Sequence, residues 1–344
     1  MPEQTVLSIH ELSVRFNVGG GFLGRGRKVL RAVEDFSLDV HRGETIGIVG
    51  ESGCGKSTLA RALMGLAPIR SGSVRFFPRD RYFGPAGIDL AKAKAGEWSE
   101  IRRRVQIVFQ DPFSSLSPKL TVGRIIAEPL EVHGTLPRAL LRKRVAELME
   151  LVGLSPADRN RYPHEFSGGQ RQRIMIARAI ALDPEVLIAD EAVSALDVSI
   201  RLQIIRLLEE LKERLGLTLI FISHDLSVVR AISDRVVIMY LGRPVELGDA
   251  ETIFAGSAHP YTQMLIRATP VPDPDQRMLH EEIRGELPSP IAPPPGCSFH
   301  PRCRYADAIC TARMPDLSGH PVGDGHTVRC HHAEVIPALS GARA

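Results

Sequence analysis

Apolar and polar positions alternate through residues 5–16, TVLSIHELSVRF, the period of a strand with one face buried. A loop rich in glycine and basic residues (17–28) separates this segment from a second predicted strand at 29–40. The apolar run ETIGIVG at 44–50 reads as a third, buried strand, and a helix opens over 56–66. Residues 136–152 carry apolar side chains at helical spacing with basic residues between them. EVLIADE (185–191) has the apolar density of a strand covered on both faces. An amphipathic helix over 199–216 leads into a last buried strand, TLIFISH, at 218–224. Strands alternating with helices predict an α/β domain built on a mainly parallel sheet.

The pattern stops after about residue 268. TPVPDPD and ELPSPIAPPPG are proline-rich, so an extended linker is expected before a cysteine-bearing tail. The expected division is a domain over 1–268 and a linker and tail over 269–344. A chain of 344 residues has room for both. Its net charge of +3 is too small to argue for nucleic acid or lipid, and aromatics at 5% are too scarce for base-stacking platforms. The N-terminus has no basic stretch followed by an apolar run, so no leader is expected. No apolar run approaches the ~18–20 residues that cross a bilayer. These features predict a cytosolic chain with reduced thiols, where clustered cysteines favour a metal over disulfides.

GESGCGKST (50–58) fits the phosphate-loop pattern G-x-x-x-x-G-K-[ST] between a predicted strand and a predicted helix. Gly50, Gly53 and Gly55 let the backbone N–H groups of the loop, Ser52 and Cys54 included, curl around phosphate oxygens. The helix N-terminus adds partial positive charge. Lys56 can reach the β- and γ-phosphates, Ser57 can ligate Mg²⁺, and Thr58 can donate to a phosphate oxygen. Cys54 reads as a small filler within the loop. VLIADE (186–191) carries Asp190 to the C-terminal end of a buried strand, where it can hold Mg²⁺. Glu191, one residue on, is placed to polarise an attacking water as general base.

FSGGQRQRIMIARAI (166–180) resembles the signature motif of ABC ATPases, with Ser167 lying 23 residues before Asp190. Ser167, Gly168, Gly169 and Gln170 open a helix after a tight turn, and in that family this surface closes on the γ-phosphate bound by the other subunit. SALD (194–197) resembles the D-loop, with Asp197 at the dimer seam. His224 resembles the switch histidine, and Gln110 the Q-loop glutamine that senses Mg²⁺ and water. Phe16 matches the aromatic that stacks on adenine. The resemblance implies a P-loop NTPase cassette: a RecA-like core, an antiparallel β subdomain and a helical signature subdomain at about 112–180, with a small Cys-rich extension. Position 192 is Ala where many members have Pro, which removes one source of rigidity after Glu191.

QDPFSSLSPKLTVGRIIAEPL (110–130), HPYTQML (259–265) and GELPSPIAPPPGCSFHPRC (285–303) narrow the resemblance to the oligopeptide/dipeptide/nickel branch of ABC importers. The resemblance implies an ATP hydrolase working as a head-to-tail dimer, with the second ATPase chain a related chain or a copy of this one. Two separate membrane permeases and an extracytoplasmic peptide-binding protein complete the machine. The chain is then peripheral on the cytoplasmic face of the inner membrane, with no nucleic-acid partner. Nickel or another small solute is the alternative cargo. A non-transport ABC ATPase is disfavoured, because only 108 residues separate Lys56 from His164 and no heptads run between them.

Cys297, Cys303, Cys310 and Cys330 are spaced C-x₅-C-x₆-C-x₁₉-C. Four thiolates suit an iron–sulfur cluster or tetrahedral zinc, and the paired C-x₂-C knuckles common in structural zinc are missing. His300, His331 and His332 lie close enough in sequence to replace one thiol on zinc. Free reduced cysteines are the third reading. The family resemblance favours a [4Fe–4S] cluster.

Overall fold

The computed structural model describes residues 4–19, 28–111, 115–134, 136–269, 285–319 and 325–336. The glycine-rich loop at 20–27, residues 112–114 at the expected start of the helical subdomain, and linker residues 270–284 lie outside these. The chain forms two compact units. One comprises 1–7, 40–44 and 75–222, the other 8–39, 45–74 and 223–344.

In the first unit, Val105–Val108, Val186–Asp190 and Thr218–Ser223 are neighbouring parallel strands, with Val105 opposite Val186 and Val186 opposite Thr218. All five residues of Val186–Asp190 and all six of Thr218–Ser223 are buried, which is why the sequence shows continuous apolar runs there rather than alternation. Glu185 fixes the entry to the first of these runs. Its carboxylate accepts from Arg42 Nη1 at 2.7 Å and from the Arg79 backbone N–H at 2.9 Å, so a nearly buried charge is paired. Helices Val122–Val132, Arg138–Leu151 and Gly168–Ala179 pack on one another. Val122, Ile125, Ile126 and Leu130 form the buried stripe of the first of them. Each such buried aliphatic side chain contributes roughly 1.5–3 kcal/mol. Helix Val198–Leu215 stops at Gly216, whose φ of +62° closes it with a left-handed cap.

In the second unit, strands Ser318–Gly319, Thr327–Val328, Arg243–Asp249, Arg235–Tyr240 and Thr45–Val49 lie side by side in that order. Thr45–Val49 and Arg235–Tyr240 are parallel, and the other pairs are antiparallel. Within this unit, residues 28–39, 8–18 and 69–74 of strands Lys28–His41, Thr5–Val18 and Ile69–Phe76 lie side by side in that order in a second sheet. Helix Lys56–Leu63 follows Thr45–Val49 and buries Leu59, Ala60, Ala62 and Leu63. The tail joins this unit through its own backbone: Val328 pairs with Glu246 and Thr327 with Leu247. Val328, at 1% exposure, and Phe299, at 3%, are as buried as core residues elsewhere in the chain. Among the described residues no helix is long and apolar enough to cross a membrane.

Candidate nucleotide site

The loop 50–55 takes backbone conformations that only glycine supplies without strain. Gly55 has φ +108°, and a Cβ there would sit 2.1 Å from the Ala32 carbonyl oxygen. Gly50 lies against Met239, whose carbonyl oxygen would be 2.2 Å from an added Cβ. Helix Lys56–Leu63 begins directly after Gly55, and no side chain caps it. The helix start is thus left with the donor character suited to an anion. Lys56 is buried at 4% exposure, its Nζ donating to the Gly50 carbonyl at 2.7 Å and the Glu51 carbonyl at 3.1 Å. Ser52 and Gly53 are exposed, and Gly55, Ser57 and Thr58 are half-buried. Cys54 is fully buried as the expected filler. Burial pushes its thiol up, and the nearby Lys56 charge only partly opposes this.

Glu51, which the sequence motif leaves unassigned, is bonded through its backbone and its side chain. Its backbone N–H donates to the Tyr261 hydroxyl at 2.9 Å. Its carbonyl accepts from Cys54 N–H and Lys56 Nζ. Its carboxylate takes two parallel bonds from Arg302, each 3.0 Å long. Burial is the largest single influence on the Arg302 guanidinium and pulls it down, but the bonds to and charges of Glu51 and Tyr240 together leave the group above its ordinary value. No sequence signal marks Arg302, because it stands 251 positions from its partner in the chain.

The second unit also holds His224, exposed at the end of strand Thr218–Ser223 and just ahead of Asp225, which caps helix Leu226–Ile232. Phe16 is half-buried on strand Thr5–Val18.

In the first unit Asp190 ends its strand at 4% exposure, and Glu191 follows with φ +49°. A non-glycine residue in that region is held there by its surroundings. The Glu191 N–H donates to the Ile222 carbonyl, and the Glu191 carbonyl accepts from both the Ser194 hydroxyl and the Ser194 N–H. These bonds hold the turn that contains Ala192. Gln110 Nε2 donates to Glu191 Oε2 at 2.8 Å. Ser167 caps helix Gly168–Ala179: its Oγ accepts from Gln170 N–H, and Gln170 Oε1 accepts from Ser167 N–H. Gly168 is half-buried and Gly169 buried, while Asp197 is exposed at the start of helix Val198–Leu215.

The family model of the ABC transporter matches residues 33–194, and that of the oligopeptide/dipeptide transporter C-terminal region matches 245–310. The oligopeptide transport ATP-binding protein OppF of Salmonella typhimurium is 48% identical over 95% of this chain and 96% of its own length. The chain belongs to the ABC transporter ATP-binding proteins of the oligopeptide/dipeptide group. Similar relatives in this group include the probable peptide ABC transporter ATP-binding protein y4tS of Sinorhizobium fredii, 50% identical over 95% of this chain and 89% of its own length. Another is the di/tripeptide transport ATP-binding protein DppF of Pseudomonas aeruginosa, 44% identical over 96% and 98%. Among solved structures, the dimeric post-hydrolysis ATP-binding cassette MJ0796 with ADP and Pi aligns at a TM-score of 0.61 and 28% identity. It covers 71% of this chain and 98% of that one. The cassette fold of this ABC protein is therefore a P-loop ATPase fold with mixed α/β sheets.

The four tail cysteines of this ABC protein lie in the second unit. Cys297 N–H donates to the Cys310 carbonyl at 2.8 Å. Burial pushes the Cys330 thiol up to about 12; the His332 N–H opposes this, and the nearby Cys297, Cys303 and Cys310 reinforce it. Backbone N–H groups of Tyr305 and His332 point at the sulfurs of Cys303 and Cys330, both at 3.4 Å. Cys310 is buried, and Cys297, Cys303 and Cys330 are half-buried. The structure also brings Asp307, Cys310 and His332 together, with one potential ligand atom of each within 4.8 Å of the others. Sequence reading singled out His332 there but not Asp307.

Proposed function

We propose that the chain is the ATP-hydrolysing subunit of an ABC importer that takes up di- and oligopeptides. The observation that carries this reading is the uncapped, glycine-framed helix start at 50–58, with Lys56 buried beneath it, in a chain 48% identical to OppF. Lys56 and the loop N–H groups bind the phosphates of ATP, and Phe16 stacks on adenine. Ser57, Asp190 and Gln110 hold Mg²⁺. When bound, that ion neutralises phosphate charge and orients the phosphoryl group. Glu191 accepts the proton of the attacking water, with Gln110 holding its carboxylate and His224 contacting the γ-phosphate. Ser167, Gly168, Gly169 and Gln170 complete the site of the opposing ATPase chain, and Asp197 sits at that seam.

Function requires two ATPase chains, this one with a related chain or a copy of itself. Two permeases and an extracytoplasmic peptide-binding protein complete the assembly, with this chain peripheral on the cytoplasmic face of the inner membrane. Closure of the ATPase dimer on ATP and its reopening after hydrolysis drive transport. Residues 1–268 form the nucleotide-binding domain and 269–344 a linker and tail. In the tail Cys297, Cys303, Cys310 and Cys330 hold a [4Fe–4S] cluster, with zinc as the alternative metal. The test is ATP-dependent accumulation of a labelled tripeptide in vesicles containing the reconstituted transporter. Uptake lost in Glu191→Gln supports the reading, and accumulation of nickel but no peptide overturns the cargo.

A further inference from the structure

We propose that Arg302, carried by the cysteine-bearing tail, is a positioning residue for ATP binding, acting through Glu51 of the phosphate loop. The inference rests on the reading of residues 50–58 as the ATP site. Glu51 is a carboxylate inside a loop that must receive a triphosphate. Left alone, its charge would repel the ligand. The two parallel 3.0 Å bonds from Arg302 neutralise it and fix its side chain. Arg302 is itself placed by its surroundings. Its side chain is 3% exposed, its Nη1 lies 3.4 Å from the Tyr240 hydroxyl, and its guanidinium lies 5.7 Å from the Tyr240 ring and 5.9 Å from the Phe299 ring.

The same aromatic cluster holds the other end of Glu51. Tyr261, fully buried, packs 4.7 Å from Tyr240 and 5.5 Å from Phe299, and its hydroxyl accepts the Glu51 N–H. The Glu51 carbonyl in turn receives Lys56 Nζ at 3.1 Å. One residue therefore links the tail arginine to the phosphate-binding lysine. Arg302 also closes the turn His300–Arg302 directly before Cys303, so the order of the cysteine module and the setting of the loop share one element. A buried, bidentate charge pair of this kind resists replacement by lysine, which offers a point charge and no fork.

The test is a double-mutant cycle on the full chain, reading the Kd for MgATP by calorimetry, kcat for ATP hydrolysis and the melting temperature. Arg302→Gln should weaken MgATP binding at least 10-fold while kcat at saturating ATP stays within threefold. Glu51→Gln, which removes the carboxylate that the Arg302 fork grips, should also weaken binding. The double variant should bind within threefold of the wild type, because both charges are gone. Arg302→Lys should fall between wild type and Arg302→Gln. Melting temperatures that drop with an unchanged Kd, or effects on Kd that simply add, overturn the proposal and leave Arg302 a fastener of the tail. If Arg302→Gln does not fold, Tyr261→Phe reads the same linkage through the Glu51 N–H, and an unchanged Kd there overturns it. Wild-type protein that binds no MgATP refutes the ATP reading itself, an outcome distinct from both.

Discussion

Gln110 and Glu191 stand 81 residues apart in the chain, and in the fold the Gln110 amide donates to the Glu191 carboxylate at 2.8 Å. The bond fixes the rotamer of the proposed base. The backbone of Glu191 is fixed too, at φ +49°, by bonds to Ile222 and from Ser194. Glu191→Gln keeps the shape and removes the basic oxygen. It should cut phosphate release at least 100-fold while leaving MgATP affinity within a few-fold, in line with the roughly 10²–10⁴ attributed to general base catalysis. Gln110→Ala should lower kcat by about 10-fold and also raise the KM for MgATP, since it removes a proposed Mg²⁺ ligand together with the bond to the Glu191 carboxylate. Turnover undiminished in Glu191→Gln would show that another group takes the proton.

The glycines of the phosphate loop make separable predictions. A methyl at Gly55 meets both a φ of +108° and the Ala32 carbonyl at 2.1 Å, whereas one at Gly53 meets φ +80° and nothing within 4 Å. Gly53→Ala should cost only the backbone strain, about 1–2 kcal/mol. Gly55→Ala should cost more and displace the start of helix Lys56–Leu63, abolishing MgATP binding. Urea unfolding and nucleotide titration of the two variants check the contrast, and equal losses would refute it.

The strand and helix pattern was legible because it follows burial. VLIAD and TLIFIS are apolar throughout and are buried at every position, and helix Val198–Leu215 begins one residue before its expected start. The loop motif at 50–58 was legible because local geometry dictates it. What escaped was the packing of the tail. Proline-rich spacing near 286–296 predicts an appendage, yet Val328 pairs with the edge of strand Arg243–Asp249 and Arg302 reaches Glu51. Neither contact leaves a periodic trace, since each joins residues far apart in the chain. Asp307 was missed for a related reason. It caps the short helix Ala308–Ala312, an ordinary duty for an aspartate, and only the fold brings His332 to within 3.2 Å of it.

His259 predicts an acid-sensitive stability. It is fully buried, and burial lowers it to about 4 despite the opposing pull of Glu246 and of the Arg329 backbone; the Arg329 charge lowers it further. Its Nδ1 accepts the Tyr261 N–H at 3.1 Å, a role open only to the neutral ring. His326 Nε2 lies 2.9 Å from the same Glu246 carboxylate. The native state thus disfavours the protonated ring relative to the unfolded chain at about 6.5. The contribution is complete above pH 6.5 and is lost as pH falls toward 4, on the order of 3 kcal/mol across that window. His259→Asn keeps a cap acceptor for helix Pro260–Ala268 without the titration. The drop in unfolding free energy between pH 7.5 and pH 5 should therefore be smaller in this variant than in the wild type.

The proposed four-cysteine cluster and the observed trio of Asp307, Cys310 and His332 share Cys310, and substitution separates them. Four thiolates at 297, 303, 310 and 330 predict that Cys297→Ser, Cys303→Ser and Cys330→Ser each lose the metal. The trio of Asp307, Cys310 and His332 predicts instead that His332→Ala loses it and Cys297→Ser keeps it. If the proposed first set holds the metal, the N–H groups aimed at Cys303 and Cys330 donate to sulfur that carries negative charge. Protein purified without air should then be brown, hold about four iron atoms per chain and bleach on treatment with a chelator and oxidant. Loss of the metal removes the cross-links from a segment with little regular structure, so the melting temperature should fall by several degrees. Because Arg302 closes the turn before Cys303, the affinity for MgATP should fall in the same samples. Colourless protein with one zinc per chain, lost in His332→Ala and kept in Cys297→Ser, would assign the metal to the mixed trio.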